Sequence, residues 1–223
     1  MLKKIVGLFL LAFVFSSNVF AQAPKGMGKS DPEAKKVLDA VSAKFKTFKS
    51  VKASFTLKIE NAAGKVQGVK TGTVLMKGVK YRVTITGQDI FCDGSTIWTY
   101  DMAAKEVQIS TLDNSSGSIT PQKLFTNFYD KEYNYKYLGV RMSQNKKCDV
   151  IELIPINKGK QFAKIEILID QSSSLIIGGN VFEKNGNKIQ YDVTSFVSNA
   201  PMADAIFSFD AKKYPKVETV DLR

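Results

Sequence analysis

Apolar and polar positions follow two different periods along this chain. Val37, Leu38, Val41, Phe45 and Phe48 fall on one face at helical spacing. Ahead of them, Ser30-Asp31-Pro32-Glu33 offers a capping residue followed by proline at the first helical position, so a helix is predicted whose apolar stripe must lie on something apolar. The period then drops to two. Ala53, Phe55, Leu57 and Ile59 alternate with Ser54, Thr56, Lys58 and Glu60, and Asn61-Ala62-Ala63-Gly64 supplies a turn. Further strands are predicted at 69–76, 81–86, 90–92, 96–100 and 107–111.

The alternation stops at Asp113-Asn114-Ser115-Ser116-Gly117-Ser118, which reads as a loop. Thr120-Pro121 then repeats the cap-plus-proline start, with Leu124, Phe125 and Phe128 on one face of a short helix. Strands resume at 133–138, 149–154, 163–170, 175–182, 188–195 and 207–209, and Gly178-Gly179 marks a turn or bulge. With no internal repeat or linker, the pattern predicts a mainly β (α+β) fold. Its core is a large, curved antiparallel sheet with one long helix and a small helical insertion.

The segment "CDGSTIWTYD" (92–101) contains the only tryptophan. A two-residue turn at Asp93-Gly94 would pair Phe91 with Thr96 and Ile90 with Ile97. Phe91, Trp98 and Tyr100 would then share one face, and Ile90, Cys92 and Ile97 the other. A hairpin that is apolar on both sides needs cover on both sides. The helix can supply one; the other requires a second layer or a ligand.

Composition changes the picture at the N-terminus. Lys3-Lys4, the apolar run from Ile5 to Phe15 and the small residue Ala21 form a secretory signal peptide, residues 1–21, with cleavage expected before Gln22. The run is too short for the roughly 20 residues of a spanning helix. Residues 22–223 are expected to form one domain, outside the inner membrane. The formal net charge of +11 is dispersed among acids, with no block of like charges, so nucleic acid is not an expected partner. Cys92 and Cys148 would see an oxidising compartment, and two readings stand: a bridge, stabilising by about 4 kcal/mol, or two buried thiols.

Catalysis finds little support. The chain has no histidine, which removes histidine triads, histidine metal sites and the commonest acid–base group. No nucleophile-elbow, phosphate-loop or dinucleotide glycine pattern is present, and Asp89 and Asp93 read as turn residues rather than a glycosidase pair. No enzyme activity, metal or cofactor is expected.

Four stretches together carry a family resemblance: "FKSVKASFTLKIENAAGK", "GTVLMKGVKYRVTI", "IFCDGSTIWTYD" and "IFSFDAKKYPKVETVDL". In their order and spacing the chain resembles the periplasmic lipoprotein carriers of the LolA type. The resemblance implies an unclosed, curved antiparallel half-barrel whose helices cover an apolar cavity for acyl chains. It places Phe55, Leu57, Met76, Tyr81, Val83, Phe91, Trp98 and Tyr100 as cavity candidates, and Leu124, Phe125 and Phe128 in a movable lid. It also implies a monomer that takes acylated lipoproteins from an inner-membrane releasing transporter to an outer-membrane acceptor. Met76 and Met102 suit a flexible ligand, although Met102, beside a turn, fits ordinary packing better.

The chain departs from the family in one place. Where the well-studied branch has Arg-Pro after the lysine equivalent to Lys77, an arginine that helps set the lid, this chain has Gly78-Val79-Lys80. Either Lys80 or Arg82 takes that role, or the lid is controlled differently. Two other classes compete: a lipid- or lipoprotein-sensing module of the same fold, and a non-enzymatic surface or structural protein. A carbohydrate binder would instead align Tyr133, Tyr135 and Tyr137 on an exposed strand face.

Overall fold

A computed structural model describes residues 31–112 and 129–223. The expected signal peptide and the expected lid residues Leu124, Phe125 and Phe128 lie outside the described residues.

Asp31 caps α1 (Pro32–Lys46), its Oδ1 accepting the Glu33 amide at 2.9 Å. Its Oδ2 accepts the Tyr137 amide, also at 2.9 Å, so one carboxylate both starts the helix and ties it to the sheet. These amides, Tyr137's foremost, hold the Asp31 carboxyl below the usual carboxylate range.

The strands are β1 (Val51–Glu60), β2 (Val66–Lys77), β3 (Lys80–Ile85), β4 (Gln88–Cys92), β5 (Thr96–Asp101) and β6 (Glu106–Thr111), followed by a single helical turn, α2 (Tyr129–Glu132). Then come β7 (Tyr133–Ser143), β8 (Lys146–Pro155), β9 (Phe162–Asp170), β10 (Leu175–Glu183), β11 (Lys188–Ser198) and β12 (Glu218–Asp221). They form one open sheet in the order β12-β6-β5-β4-β3-β2-β1-β11-β10-β9-β8-β7. Two antiparallel meanders, β1–β6 and β7–β11, are joined by the antiparallel β1–β11 pair. The Gly178 region is a bulge, as the register between β9 and β10 slips between Ile176 and Gly178.

Two expectations are corrected at the C-terminus. The strand predicted at 207–209 is a 3-10 turn, Asp204–Phe207, followed by extended chain. Asp204 is drawn to Lys77 and Lys80, and Phe207 is fully buried, so tertiary contacts override an alternation only three residues long. The sheet is also not wholly antiparallel, because β12 runs parallel to β6 and pairs one edge of it.

The core lies mainly on the inner face, the side that carries α1. Ala34, Leu38 and Val41 of the helix pack with Tyr133, Tyr135, Ile151, Leu153, Ile165 and Ile167. Tyr133 and Tyr135 are therefore buried under α1, and Tyr137 donates to Asp149 Oδ1 at 2.9 Å, which removes the exposed tyrosine ladder of the carbohydrate-binding idea. Phe45 and Phe48 extend the helical stripe, meeting Phe196 at ring separations of 5.9 and 5.7 Å.

Both cysteines are free and buried. Cys92 belongs to an inner-face cluster with Met76 and Tyr81, and Cys148 packs with Val150, Leu168 and Ile177 in a separate cluster on the outer face. The sheet stands between them, which decides for two buried thiols over a bridge.

Candidate functional site

The inner face encloses a cavity of about 400 Å³. β1 contributes Val51, Ala53, Phe55 and Leu57; β2 and β3 contribute Val74, Met76 and Val83. From the other meander come Leu153, Phe162, Ile165, Ile167, Ile176 and Val181, and β11 adds Ile189, Tyr191, Val193 and Phe196. Val83 on β3 and Phe162 on β9 are five strands apart in the sheet, so a shared cavity requires the sheet to curve around it.

The chemistry of this lining is uniform. Among the described residues of the lining, only Tyr191 has a nitrogen or oxygen in its side chain. Away from that hydroxyl, a polar group entering would give up water without gaining a partner, whereas an alkyl chain would leave water for dispersion contacts. The volume lies within the roughly 300–1,000 Å³ of small-molecule sites.

Two glycines deepen the cavity floor. Phe55 pairs across the strands with Gly72, and Tyr191 with Gly179. A Cβ on Gly72 would meet Phe55 Cζ at 2.5 Å, and one on Gly179 would meet the Tyr191 oxygen at 2.6 Å. Each ring lies down on its glycine instead of standing upright.

The hairpin at 88–101 keeps its predicted division of faces but not its predicted register. Phe91 pairs with Trp98 and Cys92 with Ile97, so the loop is longer than two residues. Asp93 Oδ1 accepts the amides of Ser95 and Thr96, both at 2.9 Å, which builds a side-chain-stabilised turn where a two-residue one was expected. The shift of two positions preserves the faces. Ile90, Cys92 and Ile97 point inward with Tyr81 and Val83. On the outer face, Phe91 meets Phe209 at 5.7 Å and Tyr100 meets Tyr214 at 4.6 Å. The cover required by the second apolar face is therefore the C-terminal segment.

Of the sequence candidates, Phe55, Leu57, Met76 and Val83 line the cavity. Tyr81 lies beside it, paired with Met76 and packed with Cys92; burial pushes both the phenol and the thiol up, so both stay neutral. Phe91, Trp98 and Tyr100 face the other side of the sheet, away from the cavity. Met102 is exposed at its turn. Sequence reasoning missed the contribution of β8–β11, for which the Ile189-Tyr191-Val193 alternation was the available signal.

The basic residues near the family's Arg-Pro position are occupied elsewhere. Lys77 and Lys80 each reach an Asp204 carboxylate oxygen at 2.7 Å. Arg82 grips Asp89 through Nε at 3.1 Å and a terminal nitrogen at 2.5 Å, with its guanidinium 4.5 Å from the Phe91 ring centre on the outer face. Among the described residues, no group of three or more His, Cys, Asp or Glu side chains could hold a metal ion.

The family model described as outer membrane lipoprotein carrier protein LolA matches residues 46–210. The chain belongs to the LolA family. It is 26% identical over 216 residues to the outer-membrane lipoprotein carrier protein of Actinobacillus pleuropneumoniae serotype 3, covering 95% of this chain and 93% of that protein. It is 28% identical over 124 residues to the protein of the same description from Pasteurella multocida, a match that spans 56% of each chain. Among solved structures, an uncharacterized conserved protein from Thermus thermophilus superposes with a TM-score of 0.58 at 14% identity, over 85% of this chain and 99% of that one, a likeness of fold. The open sheet and inner cavity are thus described on a member of the LolA family.

Proposed function

We propose that this protein is a periplasmic carrier that holds the acyl chains of lipoproteins in its inner cavity and moves them from the inner to the outer membrane. The observation that carries this reading is the apolar lining, in which Tyr191 holds the single side-chain oxygen or nitrogen among the described residues, around a cavity of about 400 Å³. Family membership and the named relatives add support, as does the signal peptide read from the sequence.

The mechanism follows from transfer energetics. Each methylene removed from water is worth about 0.8 kcal/mol, so a free acyl chain would aggregate or stay in its membrane. The cavity replaces water with aliphatic and aromatic walls and offers the chain nothing to react with. In this reading the carrier receives its cargo from an inner-membrane releasing transporter and gives it to an outer-membrane acceptor. On the same reading, Leu124, Phe125 and Phe128 serve as the lid, which competes with the chain for the cavity and keeps release possible.

The test is a titration of the mature protein, residues 22–223, with a triacylated lipopeptide and its unacylated counterpart, following displacement of a hydrophobic dye. The proposal predicts saturable displacement by the acylated form alone, and transfer of that form between vesicles. Absence of binding by either peptide would overturn it.

A further inference from the structure

Tyr191 stands out in the cavity wall. Among the described residues of the lining its hydroxyl is the only side-chain oxygen or nitrogen, and it makes no hydrogen bond to another of them; it opens onto the cavity. A position surrounded by Leu57 on β1, Gly179 on β10 and Ile189 and Val193 along β11 would be filled equally well by phenylalanine, which brings no hydroxyl in need of a partner. The ring's location is fixed from below, since Gly179 leaves no room between the sheet and the phenol. The hydroxyl is thus held in place, open to the cavity and without a hydrogen-bond partner among the described residues, in a lining that offers no other side-chain oxygen or nitrogen there.

We propose that Tyr191 is a specificity-determining residue. It donates a hydrogen bond to the carbonyl of the ester or amide that links an acyl chain to its head group, so that the cavity distinguishes acyl from alkyl chains. This rests on the carrier reading above and adds to it a choice of ligand chemistry. A phenol is both donor and acceptor, and a carbonyl oxygen is the acceptor that an acyl lipid brings with it. A plain alkyl chain would bury the hydroxyl with no partner, and sites built around a hydrogen bond discriminate against ligands that lack the matching group. Burial pushes the Tyr191 hydroxyl well above its ordinary range, which keeps the proton available for donation at neutral pH.

The experiment compares the mature protein with its Tyr191→Phe variant, which removes one oxygen and keeps the ring over Gly179. Three probes are titrated: a lipopeptide with ester-linked palmitoyl chains, the same peptide with ether-linked alkyl chains of equal length, and the bare peptide. The wild-type protein is expected to bind the ester form about 5- to 10-fold more tightly than the ether form, and Y191F to bind both alike. In a carbonyl-labelled ester lipid, the stretching band should lie at lower frequency when bound to wild type than to Y191F. If wild type binds ester and ether forms equally, or Y191F keeps the preference, the role of Tyr191 is refuted while the carrier reading stands. If wild type binds neither lipidated form, both fall.

Discussion

Phe55 lies across Gly72 so closely that a Cβ at Gly72 would stand 2.5 Å from the ring's Cζ and 2.6 Å from the Thr84 carbonyl oxygen. Tyr191 repeats the arrangement over Gly179, where a Cβ would stand 2.1 Å from the Glu166 carbonyl oxygen. The cavity owes its depth to these missing side chains: two aromatic rings form a floor because nothing beneath lifts them.

Gly72→Ala should therefore change two properties together. The Thr84 carbonyl belongs to a paired strand and cannot yield cheaply, so a loss of about 1–3 kcal/mol is expected in urea unfolding. Phe55 would be driven up into the cavity, and bound dye per protein should fall. A variant that keeps both its unfolding midpoint and its dye capacity would show that the floor is not set by Gly72.

Filling the cavity should separate binding from folding. Val193 is half-buried and faces into the free volume, so Val193→Trp adds bulk where there is space to receive it. Stability should change by less than about 1.5 kcal/mol, while affinity for an acylated peptide drops at least about tenfold. Dye displacement and urea unfolding on the same sample check both halves.

On the outer face the balance reverses. Asp89 is nearly inaccessible and accepts from Arg82 and, at 2.7 Å, from the Thr84 hydroxyl. Arg82→Ala leaves that carboxylate buried without its cation and should cost about 2–4 kcal/mol, somewhat below a fully buried pair because Arg82 is partly exposed. Lipopeptide affinity should be unchanged, since the pair lies across the sheet from the cavity. A selective loss of binding in R82A would give Arg82 the role of the family's lid-setting arginine.

The anchor of the C-terminal segment should respond to acid. Hydrogen bonds from Lys77 and Lys80 hold the Asp204 carboxyl down at about 2, below its ordinary 3.8. A folded value below the unfolded one means the pair stabilises above pH 3.8 and loses that contribution as pH falls toward 2. Asp204→Asn should melt below wild type at pH 7 and level with it near about pH 2. Because Asp204 is exposed, the gap should be small and should narrow in high salt. Thermal midpoints at the two pH values check this.

Much of the fold is written in local patterns. The α1 stripe, the Asp31-Pro32 start and the period-two runs of β1 and β11 all have local causes: a face buried against one layer, a cap, a turn. The two-faced hairpin of Phe91, Ile97 and Trp98 also predicts two layers of cover. What lies beyond local reading is long-range. The β1–β11 pair joins residues as far apart as Val51 and Ser198, and only this pairing brings Tyr191 and Phe162 to the cavity of Phe55 and Val83. The outer cover is hidden for the same reason. Phe209 and Tyr214 look like an ordinary aromatic tail until Phe91 and Tyr100 are placed beneath them, and without that cover Trp98 reads as a cavity residue when it stands on the opposite face.

The most direct test of the central claim is a methyl-resolved NMR titration of Ile, Leu and Val side chains with a triacylated lipopeptide. The account predicts shifts concentrated at Leu57, Val83, Ile176, Ile189 and Val193, with Val150, Leu168 and Ile177 on the outer face unmoved. Shifts confined to the outer set, or saturable binding that leaves the inner methyls unchanged, would contradict the assignment of the cavity as the acyl-chain site.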